Sequence, residues 1–260
     1  MRPSPSRPKP DRVALPIPLT SGGSAVRAVL LRADEAHRRR LLDVDFGGAR
    51  ETAMRAALAA RVERPAAERL DALTLADRHW LVAHVLLHDE PAILEIADSC
   101  ETCGELLALR FDLAAAVIDA APAMRRGIIR RRGVRLPTSR DLQRAGTPAE
   151  LFALCAPSYD GDANELEQLL SDADPLGAIV LKAECFACGA PVSADVDLEA
   201  RWLSAERQIA YNVLEDVHVL ARRYHWSEHE ILSLSTSRRA QYIAMCDAER
   251  EQEAEVAIDG

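Results

Sequence analysis

Four of the six cysteines fall in two C-x-x-C-G stretches, CETCG at 100–104 and CFACG at 185–189. Two thiolates three positions apart on a tight turn can grip a metal ion from one side, filling half of a tetrahedral shell. A second identical turn supplies the other half. Cys100, Cys103, Cys185 and Cys188 are therefore candidate ligands of one structural Zn²⁺ per chain, in a closed shell with no position left open for water. The glycine after each second cysteine permits a left-handed turn whose backbone N–H groups face the sulfurs. A redox centre would instead place C-x-x-C at the start of a helix after a buried strand. Here glycine and a second strand follow. Disulfides are disfavoured because nothing in the sequence points to export. Cys155 and Cys246 sit in helical apolar patterns and read as small buried hydrophobes.

Other candidate chemistry is sparse. His84 with His88, and His225 with His229, are spaced to share a helix face, but neither pair has a third ligand beside it and no H-E-x-x-H occurs. They read as surface or capping histidines. No G-x-S-x-G, phosphate-cradling glycine loop or Ser/His/Asp arrangement is evident, so no catalytic residues are assigned.

The cysteine turns belong to a longer repeat. AILEIADSCETCGELLALRFDLAAAVIDA (92–120) aligns with GAIVLKAECFACGAPVSADVDLEARWLSA (177–205) at the constant offset of 85 that separates Cys100 from Cys185. Asp112 falls on Asp197 and Leu113 on Leu198. Each copy reads strand, C-x-x-C-G turn, strand, then a helix capped by the Asp of "DL". The expected fold class is α+β: a duplicated β-hairpin zinc ribbon, two knuckles sharing one metal, with surrounding helices and a C-terminal helical module.

Around this unit the sequence predicts a disordered Pro/Ser-rich tail over 1–12 and an N-terminal β-hairpin with helices over 13–90. The hairpin strands VALPIPL and AVRAVLL flank TSGGS, and helices are expected near 33–43, 48–62 and 75–88, the last capped by Thr74. The duplicated ribbon with a helical insert spans 91–205, a C-terminal helical module 206–250 and an acidic tail 251–260. Within the insert, GVRLPTSRDLQRAG reads as a short strand and then a helix capped by Ser139. A second short helix comes next at TPAELFALCA, and 158–174 forms an acidic loop or helix. The long helix from about 197 to 224 has Ala210, Val213, Leu214, Val217, Leu220, Ala221 and Tyr224 on one apolar face. Two more short helices complete the chain, started by a Ser227–Glu230 capping box and by Ser235.

Bulk properties narrow the class. A formal charge of −9 opposes general nucleic-acid affinity, which needs a basic face. No apolar run reaches the roughly 18 residues that span a bilayer. The segment MRPSPSRPKPDR has no apolar core after its charges, so a cytoplasmic protein is expected. Arginines crowd 125–140, from Arg125 and Arg126 through Arg130, Arg131, Arg132 and Arg135 to Arg140, while 156–181 carries acids and no base. That stretch reads either as a solvated segment offsetting acids elsewhere or as a dock for an acidic partner.

The two C-x-x-C-G turns, RLPTSRDL at 135–142 and VHVLARRYHWSEHEILSLSTSRRAQYI at 217–243 occur in an order that resembles a known family. These are the baseplate-associated proteins, or baseplate hub assembly chaperones, of contractile-tailed (T-even-type) phages and phage-tail-like injection systems. The last motif is carried by Tyr224, Trp226, Ser227, Glu228, Glu230, Ile231, Leu232, Leu234, Arg238, Arg239 and Tyr242. The resemblance covers about 90–243, with LPIPLTSGG only suggestive of the family's opening strand. It implies a non-enzymatic role, in the bacterial or phage-infected cytoplasm, as assembly factor or built-in component of a tail-like particle, with baseplate or hub subunits as partners. On that reading Trp226, Glu228, Arg238, Arg239 and Tyr242 are the candidate partner-binding residues. Arg238 and Arg239 adjoin a helix start, where cations gain little from the dipole, so both are expected to reach carboxylates on a partner. Two other classes stay open. A zinc ribbon beside TSRRAQY imitates a transcription-factor layout, which makes a nucleic-acid-binding protein the alternative. An enzyme using the ribbon as scaffold would need a pocket lined by perturbed carboxylates or histidines.

Overall fold

The computed structural model describes residues 12–15, 19–21, 24–26, 28–31, 33–63, 66–126 and 133–258. The chain mixes short antiparallel hairpins with helices. Strands β1 (Arg12–Ala14), β2 (Leu19–Ser21), β3 (Ser24–Val26) and β4 (Val29–Leu31) come first, followed by helices α1 (Glu35–Leu41) and α2 (Arg50–Arg61), a 3-10 turn over Ala66–Ala72 and α3 (Leu75–Asp89). Hairpin β5 (Ile93–Ser99) and β6 (Leu106–Asp112) leads into α4 (Leu113–Arg126). After α5 (Ser139–Arg144), α6 (Pro148–Cys155) and α7 (Ala163–Ala173), hairpin β7 (Ile179–Glu184) and β8 (Pro191–Val196) leads into α8 (Leu198–Tyr224). The chain closes with α9 (Glu228–Ser233) and α10 (Thr236–Ile258).

The first hairpin is a nested pair of ladders: β1 pairs β4 with Val13 opposite Leu30, and β2 pairs β3 with Thr20 opposite Ala25. Its turn glycines, and residues 1–11 of the expected tail, lie outside the described residues. Arg12, assigned to that tail, already pairs in β1.

Helix α3 is the centre of the main core. Thr74 caps it by accepting the N–H of Asp77, as its sequence predicts. Trp80, Leu81, Val82, Val85 and Leu86 are buried on it, in one core with Met54 and Leu58 of α2, Leu94 and Phe111 of the β5–β6 hairpin, and Trp202 of α8. Complete burial of side chains of this size contributes about 1.5–3 kcal/mol each.

Several expectations need correction. The described part of the insert begins without a strand, and α5 is capped by Thr138 rather than Ser139. The Thr138 hydroxyl accepts the Asp141 N–H while the Asp141 carboxylate accepts the Thr138 N–H, a reciprocal capping box. Ser139 is instead a buried first residue of the helix. Leu214, placed on the buried face of α8, is 50% exposed. The last helix is not short: α10 runs 23 residues and takes up most of the expected acidic tail. Helix α8 also runs unbroken across the boundary expected at 205–206, because nothing in its 27 residues interrupts helix formation. No helix among the described residues is long and apolar enough to cross a membrane.

Candidate metal centre

Each cysteine turn is fixed by its own backbone. In the first, the Cys100 N–H donates to Glu105 O at 2.9 Å and the Gly104 N–H to Cys100 O at 2.8 Å. In the second, the Cys185 N–H donates to Ala190 O and the Gly189 N–H to Cys185 O, both at 2.8 Å. Gly104 and Gly189 adopt φ of 74° and 72°, where an L side chain would be strained. The helices behind the turns match as well: the Ala115 N–H donates to the Asp112 carboxylate, and the Ala200 N–H to that of Asp197.

The two turns meet. The Sγ atoms of Cys100, Cys103, Cys185 and Cys188 all lie within 4.8 Å of one another. Cys100 Sγ is 3.6 Å from Cys188 and Cys103 Sγ is 3.7 Å from Cys185, so the first cysteine of each turn faces the second of the other. Strand β5 likewise lies beside β8, and β6 beside β7. These swapped pairings give the hairpins a local twofold relation. A disulfide needs about 2.05 Å between sulfurs and is excluded at these separations. Four thiolates about 2.3 Å from one central ion would stand about 3.8 Å apart, close to the paired distances. The four cysteines thus form a cluster able to hold a metal ion.

The two thiols of the first turn are shifted in opposite directions. Backbone N–H groups of Cys103 and Thr102 hold the Cys100 thiol down to about 6. At Cys103 the Glu105 N–H also favours the thiolate, but the sulfur of Cys188, desolvation and the remaining sulfurs outweigh it and push the thiol up to about 12. Around them Leu107 and Val192 are buried with Cys100 and Cys185, while Cys103 and Cys188 stay exposed.

The residues singled out for partner binding do not gather in the same way. Trp226 stacks on Tyr224 with ring centroids 4.8 Å apart and meets Tyr242 edge-on at 5.0 Å. These aromatics pack around Leu220, Ile231 and Cys246, a small core joining α8, α9 and α10. Glu228 and Arg238 are exposed. Arg239 is not a surface cation: at 1% exposure it is clamped by Glu35 at 3.0 Å and Asp216 at 2.9 Å, with Thr236 also donating to Glu35. Its role is internal, because α1 and α8 supply the carboxylates expected from a partner. In the Arg-rich stretch, 127–132 lie outside the described residues, and Arg135 grips Asp141 at 2.5 and 2.8 Å, holding that carboxyl down to about 2.

The histidines divide similarly. His225 caps the end of α8 in a left-handed conformation, and His229 is exposed on α9. His84, expected at the surface, is partly buried edge-on against Trp80, and burial holds it neutral by lowering its pKa to about 4.

Sequence reading missed a buried ionic framework. Glu199, in the first turn of α8, receives Arg78 at 2.5 and 2.9 Å and lies 3.2 Å from His79, whose other ring nitrogen meets Asp174 at 2.8 Å. Burial opposes charge on His79, yet the two carboxylates outweigh it and raise its pKa to about 9. Two turns along α8, Glu206 meets His37 at 2.7 Å and Arg61 at 3.0 Å, and Arg61 also reaches Asp89 at 2.5 Å. A signal was present: Glu199, Trp202, Glu206, Ala210 and Val213 share one helical face, so two acids interrupt an apolar stripe. A cavity of about 580 Å³ opens beside Glu199, but Arg50, Arg78 and His79 on its wall are each already paired with a carboxylate. It offers a ligand no uncommitted cation among these.

Comparisons with protein-family models, curated proteins and solved structures find no match to this chain.

Proposed function

We propose that the four cysteines hold one structural Zn²⁺ per chain, closing a duplicated hairpin ribbon. We further propose that the protein is a non-enzymatic assembly factor or structural component of the baseplate of a phage tail or phage-tail-like contractile injection system. The observation carrying the second reading is the ordered set of motifs: first C-x-x-C-G, RLPTSRDL, second C-x-x-C-G, then the Tyr224–Tyr242 motif. The paired sulfur distances support zinc in the first. A closed four-thiolate shell has no open position to activate water, so its contribution is to folding rather than catalysis.

On this reading Trp226 and Tyr242 shape the C-terminal helices and the exposed Glu228 and Arg238 face the baseplate or hub subunit. Arg239 is excluded from that surface by its burial. The test is capture by tagged, zinc-loaded protein in cells making tail-like particles. Recovery of baseplate or hub subunits is expected. Folded protein that recovers none overturns the reading, as does salt-sensitive binding of DNA in their place.

A further inference from the structure

The two most exposed large apolar side chains among the described residues both flank the cysteine cluster: Leu106 is 76% exposed and Phe186 75%. Phe186 lies inside the second turn, between Cys185 and Cys188, and Leu106 opens β6 three residues after Cys103. The chain has only four phenylalanines, and Phe46, Phe111 and Phe152 are all buried or half-buried. The turn itself does not call for an aromatic residue. At the offset of 85 Phe186 corresponds to Glu101, yet both turns close with the same backbone bonds and the same left-handed glycine. Single apolar residues scattered over a surface are ordinary. Here Leu106 and Phe186 share one end of the ribbon with the exposed Ala187 and Pro191, which marks a contact surface. Its surroundings are acidic. Residues 98–106 carry three acids and no base, and 182–191 carry one of each. Glu101, Glu105 and Glu184 are exposed, and among the described residues no cation pairs with any of them. That includes Lys182, the one base, two residues before Glu184 on β7.

We propose that this end of the ribbon docks into a cationic groove on a partner protein. Phe186 and Leu106 enter its apolar floor, and Glu101, Glu105 and Glu184 meet lysines or arginines at its rim. A few large side chains carry most of the energy of such contacts when a polar rim keeps water from them. The three carboxylates are uncommitted, so pairing them with a partner's cations breaks no contact within the chain. The formal charge of −9 attracts a cationic partner and speeds the encounter. A nucleic-acid strand can stack a base on an exposed aromatic ring, but here its phosphates would meet the carboxylates and the same net charge. The inference stands on the ribbon's own surface and does not depend on the baseplate reading.

The test uses full-length protein and a short fluorescein-labelled peptide of alternating lysine and leucine, beside a lysine–serine peptide and labelled oligothymidylate. The parent should bind the lysine–leucine peptide about tenfold or more tightly than the lysine–serine one. Phe186→Ser with Leu106→Ser should remove that preference. Glu101→Lys with Glu184→Lys should weaken binding by about tenfold or more and abolish its salt sensitivity. Glu167→Lys with Glu215→Lys, an equal change of charge at exposed positions on α7 and α8, should leave binding within about twofold at physiological salt. No peptide binding by the parent, equal binding by all four proteins, or tighter binding of oligothymidylate overturns the inference. So does self-association of the parent that the serine variant abolishes, because a second copy would then cover the surface. Circular dichroism and a metal content equal to the parent's verify each fold. Should the serine variant fail that check, Phe186→Glu takes its place, the residue type that the first turn already holds there, and must show the same loss. Glu101→Gln with Glu184→Gln stands in for the lysine variant in the same way.

Discussion

The two hairpin-and-helix copies share a tip and differ in the helix behind it. Both place glycine at the same positive φ, both close the turn with the same two backbone bonds, and both start a helix on an Asp cap. Beyond the cap they part. Ala114, Ala116 and Ala121 of α4 correspond to Glu199, Arg201 and Glu206 of α8. Helix α4 packs through Leu113, Val117 and Ala120 against the apolar core. Helix α8 packs into the same core through Leu198, Trp202 and Ala210 and in addition reaches three other regions by charge: Arg78 and His79 on α3, Glu90 just before the β5–β6 hairpin, and His37 with Arg61 from α1 and α2. Two identical local codes thus make one shared site. The helices beyond it are free to diverge, one into apolar packing alone and the other into packing joined to buried charge.

The largest expected effect tests whether the tips are equivalent. On the zinc reading, Cys100→Ser and Cys185→Ser each remove a buried thiolate and should reduce zinc content from one per chain to none, with matching losses of thermal stability. Apparent binding free energies of structural zinc reach about 10 kcal/mol or more, so both hairpins should loosen together. Metal analysis with thermal melts decides it, and a chain that retains zinc after one change but not the other breaks the symmetry.

Next comes the difference between the helices. Glu206→Ala gives α8 the residue that α4 has at the corresponding position, Ala121, and leaves Arg61 and His37 without their shared carboxylate. Loss of one partner in a buried pair costs about 3–5 kcal/mol. Urea unfolding measures it; a cost below about 0.5 kcal/mol, as at a surface site, would show that charge does not hold α8 in place.

A pH profile sharpens the same contrast, because His79 attaches to the second copy and to the loop before it. Its folded pKa of about 9 lies above the ordinary 6.5. The stabilisation is therefore fully present below about pH 6.5 and is lost as pH rises through 9, amounting to about 3 kcal/mol. The stability difference between parent and His79→Gln should shrink across that window, and a constant difference would refute the assignment. The smallest effect returns to the tips. Gly104→Ala and Gly189→Ala should each cost about 1–2 kcal/mol from backbone strain alone, since neither glycine has an atom near the added methyl. Unequal costs would mean that the two turns are not under the same constraint.

Local features were legible in the sequence. Thr74, Asp112, Asp197 and Ser227 cap helices where they were expected to, because a cap is a contact three residues long. The four cysteines were legible because each pair sits in a turn of fixed spacing, C-x-x-C-G. The Thr138 cap was readable too: it stands three before Asp141, whereas Ser139 stands three before Leu142. What stayed hidden depends on distant chain. His37 finds Glu206 from 169 residues away, and Arg239 finds Glu35 from 204, and no local pattern names such partners. Arg239 was misjudged for that reason: a cation at a helix start is poorly placed only until its carboxylates are known.

The cysteine cluster also sets an order of events during synthesis. Cys103 leaves the ribosome 85 residues before Cys188. At about 5–20 residues per second, the first turn waits about 4–17 s for the sulfurs that complete the cluster. During that interval its two sulfurs stand without the partners that face them in the finished fold, Cys188 opposite Cys100 and Cys185 opposite Cys103. The twofold relation between the hairpins is therefore reached only once the second turn has been made.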